Sequence, residues 1–340
     1  MSALFTFSGS FRPPAKGVSA ALFSSEIADA IPSSNIAAST PSRLAEILPA
    51  KANKARVRVW ILGAGGLLGS AVHSMCNKSN IFSLAMKRDE ADITHMASLR
   101  KMAEKIRPTH IVNCAAYTDV DGAEKEPELA FRVNADGPYN VGVVAREFDA
   151  RVVHISTDYV FDGIGKRPYI ETDPCQPLGA YAQSKWEGEN NLLTAFPLAC
   201  IIRTSWLFGV RGKNFISSIL NLMHSKMELK VVADQLGRPT FCEDLAQAIV
   251  ALLGHTGIFH FANSGEVSRY NMAVEIFEEV KRRGVRLACE KIIPVNSGEF
   301  PTLAKRPLYS VLDTAKISAI LGDKPRDWKE ALKEYLNHVT

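Results

Sequence analysis

The feature that most constrains this chain is a glycine-rich turn set between a short apolar run and a helical pattern. Arg56-Val-Arg-Val-Trp-Ile-Leu62 holds β-branched and aromatic residues and is closed by glycine, the pattern of a buried strand. Gly63-Ala-Gly-Gly-Leu-Leu-Gly69 follows at once and opens a helix-like stretch from Gly66 to about Lys78. Glycines let the main chain approach a pyrophosphate, and a helix N-terminus supplies free N–H donors and the positive end of its dipole. The spacing is not the strict G-x-G-x-x-G, because Leu68 stands where the third glycine would be; it fits G-x-x-G-x-x-G through Gly63, Gly66 and Gly69. Strand, turn and helix in this order favour dinucleotide binding over a tight turn without a ligand.

Ile81–Met86, His110–Ala115, Arg151–Ser156 and Leu198–Arg203 read as further apolar strands, and Ala97–Ile106 as a helix stopped by Arg107-Pro108. Strands separated by helical spans need crossovers, so the spacing predicts an α/β fold, a Rossmann-like, doubly wound parallel sheet. The NAD(P)-binding part is expected over residues 56–210 and a smaller, mainly substrate-binding C-terminal part over 211–340. Within the latter, 241–262 is expected to return to the sheet, with Gly257–Ala262 as the strand after a helical stretch at Asp244–Leu253.

Residues 1–55 differ from the rest. They are rich in Ser, Ala and Pro, hold only the acids Glu26, Asp29 and Glu46, and are broken by prolines at 13, 14, 32, 41 and 49. That composition suits a disordered extension, an organelle transit peptide or a start set too far upstream, and the segment is left out of the fold. The expected compartment is the cytoplasm, or a plastid or mitochondrion if the extension is a transit peptide. Forty Lys+Arg against 36 Asp+Glu leave a net charge of +4, too weak and dispersed to argue for nucleic acid or an anionic membrane as partner. No apolar stretch approaches the ~18 residues of a membrane span. The six cysteines are far apart with no Cys-x-x-Cys pair, so they form neither a disulfide framework nor a zinc set.

The second strand ends in Met86-Lys87-Arg88, two cations where a carboxylate would hold the ribose hydroxyls of NADH. Lys87 and Arg88 therefore favour the 2′-phosphate of NADPH, although a solvated basic loop reads the same way and NADH stays open. Among eight tyrosines only Tyr181 has a lysine four residues on, Lys185. On a helix both share a face, and a nearby ammonium together with a nicotinamide cation is expected to lower the phenol's pKa toward the working pH. Thr157, just past the strand Arg151–Ser156, would place a hydroxyl at the C-terminal sheet edge to hold a substrate carbonyl. On residue type alone Trp206 suits the core and Asp158 a turn cap, and His110 and His154 read as core or edge residues.

Gly63–Gly69, Asn113-Cys-Ala-Ala-Tyr117, Ser156-Thr-Asp-Tyr-Val-Phe-Asp-Gly163 and Tyr181–Lys185 together resemble an extended short-chain dehydrogenase/reductase. More narrowly, from about residue 57 onward the chain resembles the dTDP-4-dehydrorhamnose reductase family, through Arg203-Thr-Ser-Trp-Leu-Phe-Gly209, Gly212-Lys-Asn-Phe215, Val231–Thr240, Arg306-Pro307 and Ser310. The resemblance implies NADPH-dependent reduction of the 4-keto group of dTDP-4-dehydro-6-deoxy-L-mannose to dTDP-L-rhamnose. It implies that Gly66, Leu67 and Leu68 meet the pyrophosphate, Asp92 and Ile93 the adenine, and Ala115, Ala116 and Tyr117 the length of the cofactor. It further implies Tyr181 as acid, Lys185 as its partner on the nicotinamide ribose, Thr157 and Asp158 facing the sugar, and Trp206 touching the sugar nucleotide. The family's magnesium ligands find no secure match in this chain, so no metal-binding residue is named and the Mg2+ requirement stays open. A homodimer is compatible with the reading. A non-catalytic regulatory subunit similar to that of methionine adenosyltransferase shares the Tyr–Lys pair but lacks Thr204-Ser205-Trp206 and Asp234-Gln235. A 4,6-dehydratase would carry Glu where Tyr159 follows Asp158.

Overall fold

The computed structural model describes residues 57–339, so the expectations for residues 1–55 lie outside the described residues. Six parallel strands form one sheet, in the spatial order Gly257–Phe261, Cys200–Thr204, Arg151–Thr157, His110–Asn113, Arg58–Leu62, Phe82–Met86. The chain runs from Arg58–Leu62 outward to the edge strand, then crosses back to His110–Asn113 on the other side. That reversal opens a crevice at the C-terminal strand ends, the place where doubly wound sheets take ligands. Leu62 pairs with both Met86 and Asn113, which brings three strand ends level beneath the glycine turn.

Val59, Trp60, Ile61 and Leu62 are all buried, without the alternation of a half-exposed strand, because helices cover both faces. One face packs Val59, Ile61, Val112 and Val153 under helices Leu67–Lys78, Cys242–Ala251 and Ala315–Leu321. The other packs Trp60, Ile111, Val152 and Ile201 under Met96–Ile106, Gly137–Glu147 and Gly179–Ala195.

Several strand limits differ from the sequence pattern by one or two residues, three of them with a visible local cause. His110–Asn113 stops before Ala115 because the Asn113 side-chain oxygen accepts the Ala115 N–H at 3.1 Å and turns the chain. Leu198 is exposed and Ala199 donates to the Phe196 carbonyl in a turn, so the fifth strand starts at Cys200. Thr157 is the last strand residue, paired with Thr204, and does not follow the strand.

Past Thr204 the chain leaves the sheet and builds a second cluster from helices Phe215–Ser225, Arg269–Arg282 and Trp328–Val339. These pack around a parallel strand pair, Glu228–Val232 with Lys291–Val295. Between them Gly257–Phe261 returns to the sheet as its edge strand, beside Cys200–Thr204.

Candidate active site

Gly63 sits at φ +78°, and a Cβ there would lie 2.6 Å from the Ala115 nitrogen. A Cβ on Gly69 would lie 2.5 Å from the Gly63 carbonyl oxygen, so only glycine lets the helix press this closely on its own turn. No side chain caps the helix Leu67–Lys78 at Gly66, which leaves its leading N–H groups open toward the crevice. The cleft above this turn has a volume of about 620 Å³. Its lining begins at Gly63, Gly66, Leu67, Leu68 and Gly69, continues along Arg88, Asp92 and Ile93, and passes Ala115, Ala116 and Tyr117. It ends at Thr157, Asp158, Tyr181, Lys185 and Trp206. The structure thus brings every residue given a cofactor, catalytic or substrate role above to one cleft except Lys87, which is exposed beside Gly65 and does not line it. A glycine cradle that a Cβ would fill, above an uncapped helix, fits a diphosphate-bridged dinucleotide.

At the glycine end, Arg88 reaches the cleft but also pairs with Asp92, Nε to Oδ2 at 3.3 Å, with 73% of its side chain exposed. Burial alone would raise the Asp92 carboxyl, but hydrogen bonds from Thr94 and Arg88 outweigh it and hold the group below the usual carboxylate range.

At the other end, helix Gly179–Ala195 carries Tyr181 and Lys185 on one face. Lys185 Nζ donates to the Ile155 carbonyl at 2.7 Å, and burial pushes its pKa down to about 8 against the pull of Glu189. Burial pushes the Tyr181 phenol above its ordinary value, with its hydrogen bond to the Thr157 hydroxyl working the other way. In the protein alone burial dominates; the lowering expected from the ammonium together with a nicotinamide cation concerns the cofactor-bound state. The ammonium is engaged by a main-chain carbonyl, and desolvation keeps the tyrosine protonated.

Thr157 caps the single turn Asp158–Val160 by accepting the Tyr159 N–H at 3.2 Å, and donates to Asp158 Oδ1 at 3.1 Å. The cap is Thr157, which frees Asp158 from that role. Asp158 is 2% exposed, its Oδ2 has no hydrogen-bond partner among the described residues, and burial pushes its carboxyl up to about 6. Hydrogen bonds from Ser310 and Thr157 and the charge of Arg269 oppose that rise. Trp206 is no plain core residue. It is held at φ +47°, a conformation that bulky side chains rarely adopt, and lines the cleft.

Sequence reasoning missed Tyr159, Lys213 and Arg269, all of which line the cleft. Tyr159 lay inside a quoted motif; Arg269 comes from a distant helix, and no spacing rule connects it to Trp206. Asp234, by contrast, accepts from the Ser297 N–H and hydroxyl and ties two loops outside the cleft lining. His154 is fully buried against Asn113, as a core residue. Among the described residues no group of three or more His, Cys, Asp or Glu is placed to hold a metal ion.

A family model described as "RmlD substrate binding domain" matches residues 57–340. A dTDP-4-dehydrorhamnose reductase of Aggregatibacter actinomycetemcomitans is 39% identical over 285 residues, covering 81% of this chain and 97% of the relative. The crystal structure of a dTDP-4-dehydrorhamnose reductase from Clostridium acetobutylicum superposes with a TM-score of 0.78 at 38% identity, covering 83% of this chain and 99% of that one. Another, from Bacillus anthracis in complex with NADP, gives a TM-score of 0.78 at 34% identity over 84% and 100% of the two chains.

Proposed function

The chain belongs to the RmlD substrate binding domain family, and from that premise we propose that it is an NADPH-dependent reductase acting on dTDP-4-dehydro-6-deoxy-L-mannose to give dTDP-L-rhamnose. The observation that carries the reading is the meeting of a phosphate cradle with a half-buried, protonated tyrosine in one cleft.

The open N–H groups after Gly66 would hold the cofactor pyrophosphate, and Arg88 its 2′-phosphate. Asp92 and Ile93 border the adenine end, and Ala115, Ala116 and Tyr117 the span between. Lys185 would hold the nicotinamide ribose, and the reduced nicotinamide, when bound, supplies a hydride to the sugar C4. Tyr181 Oη, protonated and close to Thr157, donates the proton that the C4 oxygen needs as it becomes an alkoxide. The Thr157 hydroxyl steadies the same oxygen as charge grows on it. Asp158, with one carboxylate oxygen free of protein partners, accepts from sugar hydroxyls.

The names of the relatives favour a reductase over the regulatory-subunit reading. No helix among the described residues is long and apolar enough to cross a membrane, and the reading places the reaction in the cytoplasm. The test is to mix the protein with NADPH and dTDP-4-dehydro-6-deoxy-L-mannose, follow loss of reduced cofactor, and identify the product by NMR. Cofactor oxidation that depends on the sugar nucleotide and yields dTDP-L-rhamnose is expected. A protein that binds NADPH yet leaves this substrate untouched would overturn the assignment.

A further inference from the structure

Arg269 is a cation in the cleft for which the reduction itself has no use. It opens helix Arg269–Arg282, whose start is fixed by the Ser268 hydroxyl accepting the Asn271 N–H at 3.0 Å. Its guanidinium carbon lies 3.6 Å from the Trp206 ring centroid and 4.9 Å from that of Phe215, so two aromatic rings set its position. It also hydrogen-bonds the Tyr159 hydroxyl. Among the described residues it makes no ion pair, whereas Arg88 is paired with Asp92, Arg306 with Asp121 and Arg326 with Asp244. The charge of Asp158 acts on it through space, without an ion pair between them. A half-buried guanidinium, stacked on an indole and without an ion-pair partner, thus lines the ligand cleft.

We propose that Arg269 is the anion subsite for the diphosphate of the nucleotide-sugar substrate, with Lys213 a second cation on the wall of the same cleft. This rests on the reading above that the substrate is a sugar nucleotide. The position suits the chemistry. Tyr159 stands between the two in the cleft, packing edge-on to Tyr181 with ring centroids 6.0 Å apart and interacting with Arg269 through its hydroxyl. In the substrate, the diphosphate stands one sugar ring beyond the reacting C4. The cofactor's own phosphates are provided for elsewhere, at the glycine turn. A planar guanidinium held from behind by an indole keeps its N–H edges for a bidentate grip on phosphate oxygens. Because the Arg269 side covers one face of Trp206, the sugar nucleotide meets the indole at its edge or its other face.

The test compares the wild-type protein with Arg269→Met and Arg269→Lys, measuring dTDP, thymidine, UDP and NADPH binding by calorimetry, and KM and kcat for the sugar nucleotide. Arg269→Met should weaken dTDP by about 10- to 100-fold, the range of a lost charge-assisted hydrogen bond. Thymidine, which lacks phosphates, and NADPH should bind as before; KM should rise with kcat little changed, and Arg269→Lys should recover part of the loss. Unaltered NADPH affinity also shows that the variant is folded. Equal weakening of dTDP and thymidine would move Arg269 to the base and overturn the proposal, as would a loss confined to NADPH. A wild-type protein that turns over the dTDP sugar while Arg269→Met keeps its KM refutes the subsite alone. One that ignores dTDP but binds UDP through Arg269 refutes the substrate's base and keeps the subsite.

Discussion

Replacing Glu189 by Gln tests how the catalytic helix is seated. Arg203 donates to Glu189 through Nη2 to Oε2 at 2.7 Å, and through Nε to Oε1 at 3.0 Å and Oε2 at 3.2 Å. The two side chains are only 3% and 2% exposed, and they join helix Gly179–Ala195 to strand Cys200–Thr204. Glutamine keeps the shape but leaves a buried guanidinium without its counter-charge, a loss of about 3–5 kcal/mol. At roughly 2–3 kcal/mol per molar urea, the unfolding midpoint should fall by about 1–2 M. A second effect follows from position, since Glu189 lies one helical turn beyond Lys185. Burial depresses Lys185 to about 8, and Glu189 is the foremost influence raising it. The ammonium exists below its pKa, so removing the carboxylate should carry the alkaline fall of kcat/KM to lower pH. Urea titration followed by tryptophan fluorescence reads the first effect, and kcat/KM against pH reads the second. The double variant Arg203→Met, Glu189→Leu should regain much of the stability but not the alkaline limb. A midpoint within experimental error of wild type, or an alkaline limb that does not move, would refute the reasoning.

Tyr181→Phe removes the transferable proton and keeps the ring, so turnover should drop at least ~100-fold while NADPH still binds; near-normal turnover would remove Tyr181 from the acid role. Lys87→Ala with Arg88→Ala should weaken NADPH far more than NADH, with most of the effect from Arg88 because Lys87 does not line the cleft; equal losses for both cofactors in calorimetry would make the pair a solvated loop. Asp158→Asn should stabilise the protein at pH 7. The folded-state pKa is raised to about 6, so the fold favours the protonated carboxyl and stability falls as pH rises from about 4 through 6. The gain in Tm should therefore shrink as the pH is lowered toward 4, and a gain that stays constant with pH would refute the buried-carboxylate account.

The fold was legible because its signals are local. A continuous apolar run such as Val59–Leu62 needs both faces covered, and that alone argues for a parallel sheet with helices on each side. The glycine turn was legible because close backbone approach excludes any Cβ at Gly63 and Gly69. Strand ends were less so. Asn113 ends its strand through a side-chain bond to its own backbone two residues on, a competition that apolar periodicity does not register. The balance of influences on the phenol in the protein alone was hidden for a related reason. Helical spacing puts Lys185 near Tyr181 but does not reveal that the Ile155 carbonyl, from a neighbouring strand, receives the ammonium.

The two ends of the cleft also differ in how far sequence can reach them, and this bears on what can change. The cofactor end is made mostly of backbone: a turn, uncapped helix N–H groups and the ends of adjacent strands, all within the first βαβαβ stretch. The substrate end is made of side chains from separate stretches, with Trp206 after the fifth strand, Arg269 on a distant helix and Ser310 reaching Asp158 from near the C-terminus. Their meeting depends on tertiary packing alone, so no motif announces it. The same division means that Trp206, Arg269 and Lys213 can be altered without touching the glycine turn. Substitutions there should change which nucleotide sugar is accepted while NADPH affinity holds, whereas a Cβ at Gly63 or Gly69 should cost the cofactor and every substrate alike.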